Sequence, residues 1–159
     1  MEKYRQGEKN TMQILSNFYD TLREFLTEKE MTPRMFAKQA GFPESAVYYW
    51  LDRTYVPSTA NLLRFADFCD VSLDYLLGLS ETRSFRRAAQ PVPFAERFRT
   101  LLQQTGKSQY AAAKHCGIGC SAVSKWLHRS KLPRADTLVK LADFFNCSMD
   151  YLLGRTDIP

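Results

Sequence analysis

Residues 22–78 align without a gap on residues 98–154, 76 positions later, with 22 identities in 57 positions. The stretch DYLLG closes the window at 74–78 and again at 150–154. Identity at that density with no gap is a duplication, so the chain must fold as two copies of one unit of about 60 residues. A length of 159 residues accommodates two such very small domains. An apolar fraction of 45% can fill their cores, and 13% aromatic residues argue against disorder.

Each copy reads as five short helices, and no window shows strand alternation. In the second copy the periodicity of 94–105 places Phe94, Phe98, Leu101 and Leu102 on one stripe. Ser108 caps a helix over 109–116 that stops at Gly117. A third helix over 120–128 turns Val123, Trp126 and Leu127 inward, and Pro133 stops the loop after it. The fourth spaces Leu138, Leu141, Ala142 and Phe145 at i, i+3, i+4 and i+7, where the first copy has Leu62, Phe65, Ala66 and Cys69. Ser148 and Ser72 cap a short last helix ending at Gly154 and Gly78. Asp150 and Asp74 lie in its first turn, where a carboxylate suits the helix dipole. The expected architecture is all-α, twice. The boundaries are an N-terminal extension over 1–17, a first domain over 18–80, a basic Pro-containing linker over 81–93 and a second domain over 94–159. Part of the extension, from Met12, is expected to lengthen the first helix.

The copies keep a frame and differ inside it. Residues 45–57 read SAVYYWLDRTYVP and residues 121–133 read SAVSKWLHRSKLP, so Tyr48, Tyr49 and Tyr55 stand where Ser124, Lys125 and Lys131 stand. Charge follows the same division. Residues 1–80 hold 9 Lys/Arg against 11 Asp/Glu, a net of −2, and residues 81–159 hold 13 against 6, a net of +7. An asymmetry of this kind assigns a polyanion contact to the second half.

In AAAKHCGIGCSAVSKWL a short helix ends at glycine and another begins three or four residues later. Small residues, Ala113 and Gly117, allow the two to cross closely. Val123 and Trp126 pack between them, leaving Cys120, Ser121, Ser124 and Lys125 on the outer side. Such a second helix stands proud of its domain and can enter a major groove. Together with Ser108-Gln109, Pro133 and the LADFF…DYLLG ending, this stretch resembles the Cro/C1-type, or XRE-like, helix-turn-helix repressors. Both copies carry the resemblance, so it covers about three quarters of the chain. It implies two tandem five-helix lambda-repressor-like domains, sequence-specific binding of double-stranded DNA, and a homodimeric transcriptional regulator.

Carried over position by position, the family's phosphate-clamping glutamine falls on Gln109, beside Ser108, and its base-reading positions on Cys120, Ser121 and Lys125, with Ser124 adjacent. Lys125 suits the guanine O6 and N7 acceptors. Ser121 can pair with several bases, and Cys120 departs from the usual polar residue. Arg129, Lys131 and Arg134 follow the reading helix and are expected on phosphates. Arg134 replaces Ser58, a good cap, at an expected cost of about 0.5–2 kcal/mol. The first copy has Pro33 for the glutamine and Glu44 at a reading position. Residues 42–58 sum to −1 against +4 for 118–134. Tyr48, Tyr49 and Tyr55 form a candidate protein interface there, and whether that copy contacts DNA stays open. The alternative to a DNA-binding regulator is a protein-interaction module of antitoxin or adaptor type.

His115, Cys116, Cys120 and Cys147 invite a metal reading, but their counterparts in the repeat include Ala40 and Val71, and the spacing fits no zinc motif. Cys69, Cys116 and Cys147 read as core fillers and Cys120 as a surface thiol. No metal, cofactor or small-molecule ligand is expected. GIG at 117–119 is a turn rather than a phosphate loop, and no catalytic motif appears, so no enzyme is expected. No stretch approaches the roughly 18 apolar residues of a membrane span, and the start lacks a signal-peptide pattern. The expected location is the cytoplasm.

Overall fold

Hydroxyl side chains open half of the described helices. Thr32 accepts from the Met35 amide at 3.2 Å, Ser58 from Asn61 at 3.2 Å, and Ser72 from Tyr75 at 3.0 Å. Ser108 accepts from Ala111 at 3.1 Å and Ser148 from Tyr151 at 3.1 Å. Each satisfies one amide that helix geometry leaves without a partner. The computed structural model describes residues 15–159, which divide into two compact units, 15–84 and 85–159. The first holds α1 (Ser16–Glu28), α2 (Pro33–Ala40), α3 (Glu44–Leu51), α4 (Thr59–Cys69) and α5 (Leu73–Leu76). The second repeats the order with α6 (Phe94–Thr105), α7 (Gln109–Cys116), α8 (Cys120–His128), α9 (Ala135–Phe145) and α10 (Met149–Leu152). The described residues contain no strand, so the architecture is all-α with two tandem helical domains. The lengthening of the first helix from Met12 lies outside the described residues.

Each core is organised around one tryptophan of the frame. Trp50 meets the edges of Phe18 and Phe42 at ring-centroid distances of 5.7 and 5.0 Å, and Phe18 in turn meets Phe65 at 5.1 Å. In the second unit Trp126 meets Phe94 and Phe98 at 5.9 Å each, and Phe98 meets Phe145 at 5.8 Å. Edge-to-face pairs of this kind add about 0.5–1.5 kcal/mol beyond the area they bury. The stripes expected on α4 and α9 are buried in full. Cys69, Cys116 and Cys147 are buried with them, and Cys120 is exposed.

The stretch between the repeats has no helix over 79–93, and its backbone is bonded to the units on either side. The Ser72 amide donates to the Arg83 carbonyl at 2.8 Å and the Ser72 hydroxyl to Thr82 at 3.1 Å. In the second unit the Ala88 amide donates to the Arg155 carbonyl at 2.8 Å, and the Arg155 guanidinium lies 4.4 Å from the Phe85 ring centroid. That guanidinium also donates to Asp150, and both side chains are buried. Asp150 therefore does more than complement a helix dipole: it neutralises a cation inside the domain. Gly154, at φ +73°, lies so close to Val92 that a Cβ there would overlap the Val92 carbonyl oxygen.

Candidate nucleic-acid interface

A helix pair with an abrupt turn needs one residue with positive φ and a short connection. Gly117 supplies the first at φ +68°, a conformation that carries little penalty only in glycine. The Ile118 amide reaches back to the Ala113 carbonyl at 3.0 Å and the Gly117 amide to Lys114 at 3.1 Å, which closes α7. Gly119 is already extended, at φ −76° and ψ 152°, and α8 begins at the next residue. Three residues thus reverse the chain.

Ala112 and Ala113 are buried on α7, as are Val123, Trp126 and Leu127 on α8, so the two helices share one apolar seam. The periodicity then leaves Cys120, Ser121, Ser124, Lys125 and His128 on the opposite side, and all five are exposed. Gln109 is the first residue of α7 and is also exposed. The Ser108 oxygen caps α7, which leaves its O–H proton for another acceptor. Arg129 ends α8, and Lys131 and Arg134 follow in the loop, all exposed.

Ion pairing differs between the two units. Among the described residues no carboxylate lies within ion-pair distance of Lys125, Arg129 or Lys131, while Arg134 meets Asp136 at 3.5 Å with its side chain 77% exposed. In the first unit Arg53, the counterpart of Arg129, is tied to Asp20 at 2.7 Å. Arg34, beside Pro33, meets Glu44 at 3.8 Å, so the acid at the reading position faces a cation of its own unit. Cations already paired with carboxylates attract phosphate weakly, and unpaired ones retain their full pull.

The first unit's tyrosines are open to solvent: Tyr48 is 45%, Tyr49 52% and Tyr55 65% exposed. The rings of Tyr49 and Tyr55 lie 6.4 Å apart. The Tyr55 carbonyl accepts from the Tyr19 hydroxyl at 3.3 Å, which anchors the backbone and leaves the ring outside.

Two kinds of residue around the helix pair escape a reading by motif. Arg99 of α6 donates to the Leu127 carbonyl near the end of α8 at 2.6 Å, and Arg23 does the same to Leu51 at 2.7 Å. Lys140 of α9 donates to the Cys116 carbonyl at 3.3 Å, and Arg64 to the carbonyls of Ala40, at 3.4 Å, and Gly41. The signal available was the alignment itself, which pairs Arg23 with Arg99 and a cation with a cation at 64 and 140. The cap at Arg134 also differs from expectation. Arg134 makes no side-chain cap, but the Asp136 carboxylate accepts from the Thr137 amide at 3.0 Å. The donor that Ser58 serves in the first unit is therefore served in the second by a different side chain.

Burial pushes the Cys69 thiol up to about 12 and the Cys116 thiol up to about 11, both outside the range where a thiolate forms at neutral pH. His115 meets Asp143 at 3.3 Å. Among the described residues no group of three or more His, Cys, Asp and Glu side chains is arranged to hold a metal ion. No described helix is long and apolar enough to cross a membrane.

Comparison with known proteins agrees with this geometry. The helix-turn-helix family model matches residues 22–76 and again residues 98–152. A stretch of 63 residues is 35% identical to the HTH-type transcriptional regulator ImmR of Bacillus subtilis (strain 168), covering 40% of this chain and 50% of that protein. The chain thus spans about half the length of the curated relative it matches. No solved structure gives a significant match.

Proposed function

This chain belongs to the Cro/C1-type helix-turn-helix family through both of its repeats, and on that premise we propose that it is a transcriptional regulator that binds double-stranded DNA sequence-specifically through its second repeat. The observation that carries the assignment is a contrast in pairing: among the described residues Lys125, Arg129 and Lys131 meet no carboxylate, whereas Arg53, the counterpart of Arg129, is held by Asp20 at 2.7 Å. In this reading α8 enters the major groove with Cys120, Ser121, Ser124 and Lys125 toward the base edges. Ser108, Gln109, Arg129, Lys131 and Arg134 hold the phosphates. Phosphate contacts set the position and base contacts set the sequence. The regulator acts in the cytoplasm, and the reading needs no catalytic step, metal, cofactor or small ligand. Selection of bound sequences from random duplex DNA tests it. A recovered motif whose affinity falls steeply with salt is expected, and recovery of no motif refutes it.

The exposure of Tyr48, Tyr49 and Tyr55 favours a protein surface on the first repeat, the role an antitoxin-like or adaptor-like module would use. We assign that surface to homodimerisation, since a lone reader gains specificity by pairing half-sites about 34–36 Å apart or a multiple of that. Sedimentation of the wild type against Tyr48→Ser, Tyr49→Lys, Tyr55→Lys decides it. A monomeric wild type sinks the dimer, and a triple variant that assembles unchanged sinks the assignment of the tyrosines to its interface.

A further inference from the structure

We propose that Arg99 and Lys140 are positioning residues of the second repeat, which fix the two ends of the helix pair so that α8 presents its outer face in one orientation. This rests on the DNA-reading assignment above. The last carbonyls of a helix have no partner inside it, and a short helix has few internal bonds with which to hold its angle. α8 spans nine residues and α7 eight. In both, the C-terminal turn is met by a cation from outside the pair: Arg99 of α6 on the Leu127 carbonyl at 2.6 Å, and Lys140 of α9 on the Cys116 carbonyl at 3.3 Å. A positive charge there complements the helix dipole as well as the lone pairs.

The Arg99 contact falls at the end of the reading helix. Leu127 lies two residues after Lys125, whose own carbonyl accepts from the Arg129 amide at 2.9 Å and the Lys131 amide at 3.4 Å. The Arg99 contact therefore secures the turn from which three of the assigned DNA contacts project. The first repeat holds Leu51, Ala40 and Gly41 by the same scheme through Arg23 and Arg64, although its outer face is rewritten. The clamps accordingly serve the pose of the helix pair, and the letters on the outer face serve the partner. In this proposal Arg99 and Lys140 act through the carbonyls they hold rather than through phosphate.

The test compares Arg99→Met, Arg99→Lys and Lys140→Met in the full chain. For Arg99→Met the ratio of affinity for the selected site to affinity for random duplex falls about tenfold, and the slope of log affinity against log salt stays at the wild-type value. Arg99→Lys, which keeps a charged donor, restores most of the ratio. Lys140→Met lowers it less, in keeping with its longer contact. A ratio unchanged while the melting temperature drops would make the clamp a stability element only and overturn the proposal. A slope smaller by about one unit would make Arg99 a phosphate contact and overturn it equally. Amide exchange separates these results from failure of the DNA reading itself. With no DNA present, Arg99→Met should speed exchange at Arg129 and Lys131 relative to α9. Unchanged exchange there refutes the clamp even if the wild type binds no duplex.

Discussion

Exchanging the residues that open α4 and α9 should produce effects of unequal size. Ser58 accepts from the Asn61 amide at 3.2 Å, and its counterpart Arg134 makes no such bond. In Ser58→Arg the Asn61 amide loses its acceptor, because the position of Asp136 is held in the first unit by Ala60, which has no side-chain oxygen. The loss is about 1 kcal/mol, or about 4–8 °C in melting temperature for a domain of this size. The reverse change, Arg134→Ser, gains much less. The Thr137 amide already has the Asp136 carboxylate at 3.0 Å, so a new hydroxyl there adds little. The Arg134–Asp136 pair that is lost spans 3.5 Å with the arginine 77% exposed, so its contribution is near the lower end of about 0–1 kcal/mol. A net gain of under about 0.5 kcal/mol remains. Adding Ala60→Asp to Ser58→Arg should restore most of the lost stability. Thermal denaturation of the full chain, with amide exchange at Asn61 and Thr137 to assign each change to its unit, measures all three. Equal and opposite shifts for the two single changes, or no recovery on adding Ala60→Asp, would refute the compensating role given to Asp136.

Lys125→Ala should relax preference at one base position, with about 1–3 kcal/mol of discrimination lost, and equal weakening on specific and random duplex would make it a phosphate contact instead. Arg129→Ala, Lys131→Ala and Arg134→Ala should each weaken binding to every sequence and flatten the salt slope by about one unit; three unchanged slopes would place the duplex elsewhere. Gly154→Ala should destabilise far more than Gly117→Ala, for although both have positive φ, only a Cβ at 154 meets backbone, while at 117 nothing lies within 4 Å; denaturant titration of both variants checks this. Iodoacetamide at pH 8 should label Cys120 well before Cys69 or Cys116, read by mass spectrometry of native protein. Because burial raises both of those thiols above their ordinary value of 9.0, their contribution to stability is complete below that pH. It is lost as pH rises toward about 11 for Cys116 and 12 for Cys69, and stability constant across that window would contradict it.

What was legible in the sequence follows from the range of each interaction. Ser108 and Ser148 cap helices through amides three residues away, and Gly117 turns the chain by its own φ, so local letters suffice. The outward placement of Lys125 follows from helical period once Val123 and Trp126 are taken as buried. Contacts between distant positions were not legible. Arg99 and Leu127 are 28 residues apart and Lys140 and Cys116 are 24 apart, and no periodicity relates such pairs. Asp136 was visible as an acid near a helix start, but its service to the Thr137 amide depends on a rotamer. The prolines and arginines of 81–93 mark a linker, and the backbone there is irregular. Its pinning by Arg155 came from a buried charge that composition cannot locate.

That pinning defines a seam for anyone who splices this chain. Phe85 lies on the guanidinium of Arg155 and Ala88 is bonded to its backbone, while Thr82 and Arg83 are bonded to Ser72. A graft of the second repeat begun at Phe94, where the helices start, would remove the Phe85 ring from the Arg155 guanidinium and the Ala88 amide from its carbonyl. The transferable cassette begins at Phe85, nine residues before its first helix. Chimeras meant to exchange the reading helix between regulators should be joined between Ser84 and Phe85, so that each module travels with the stretch of chain that closes it.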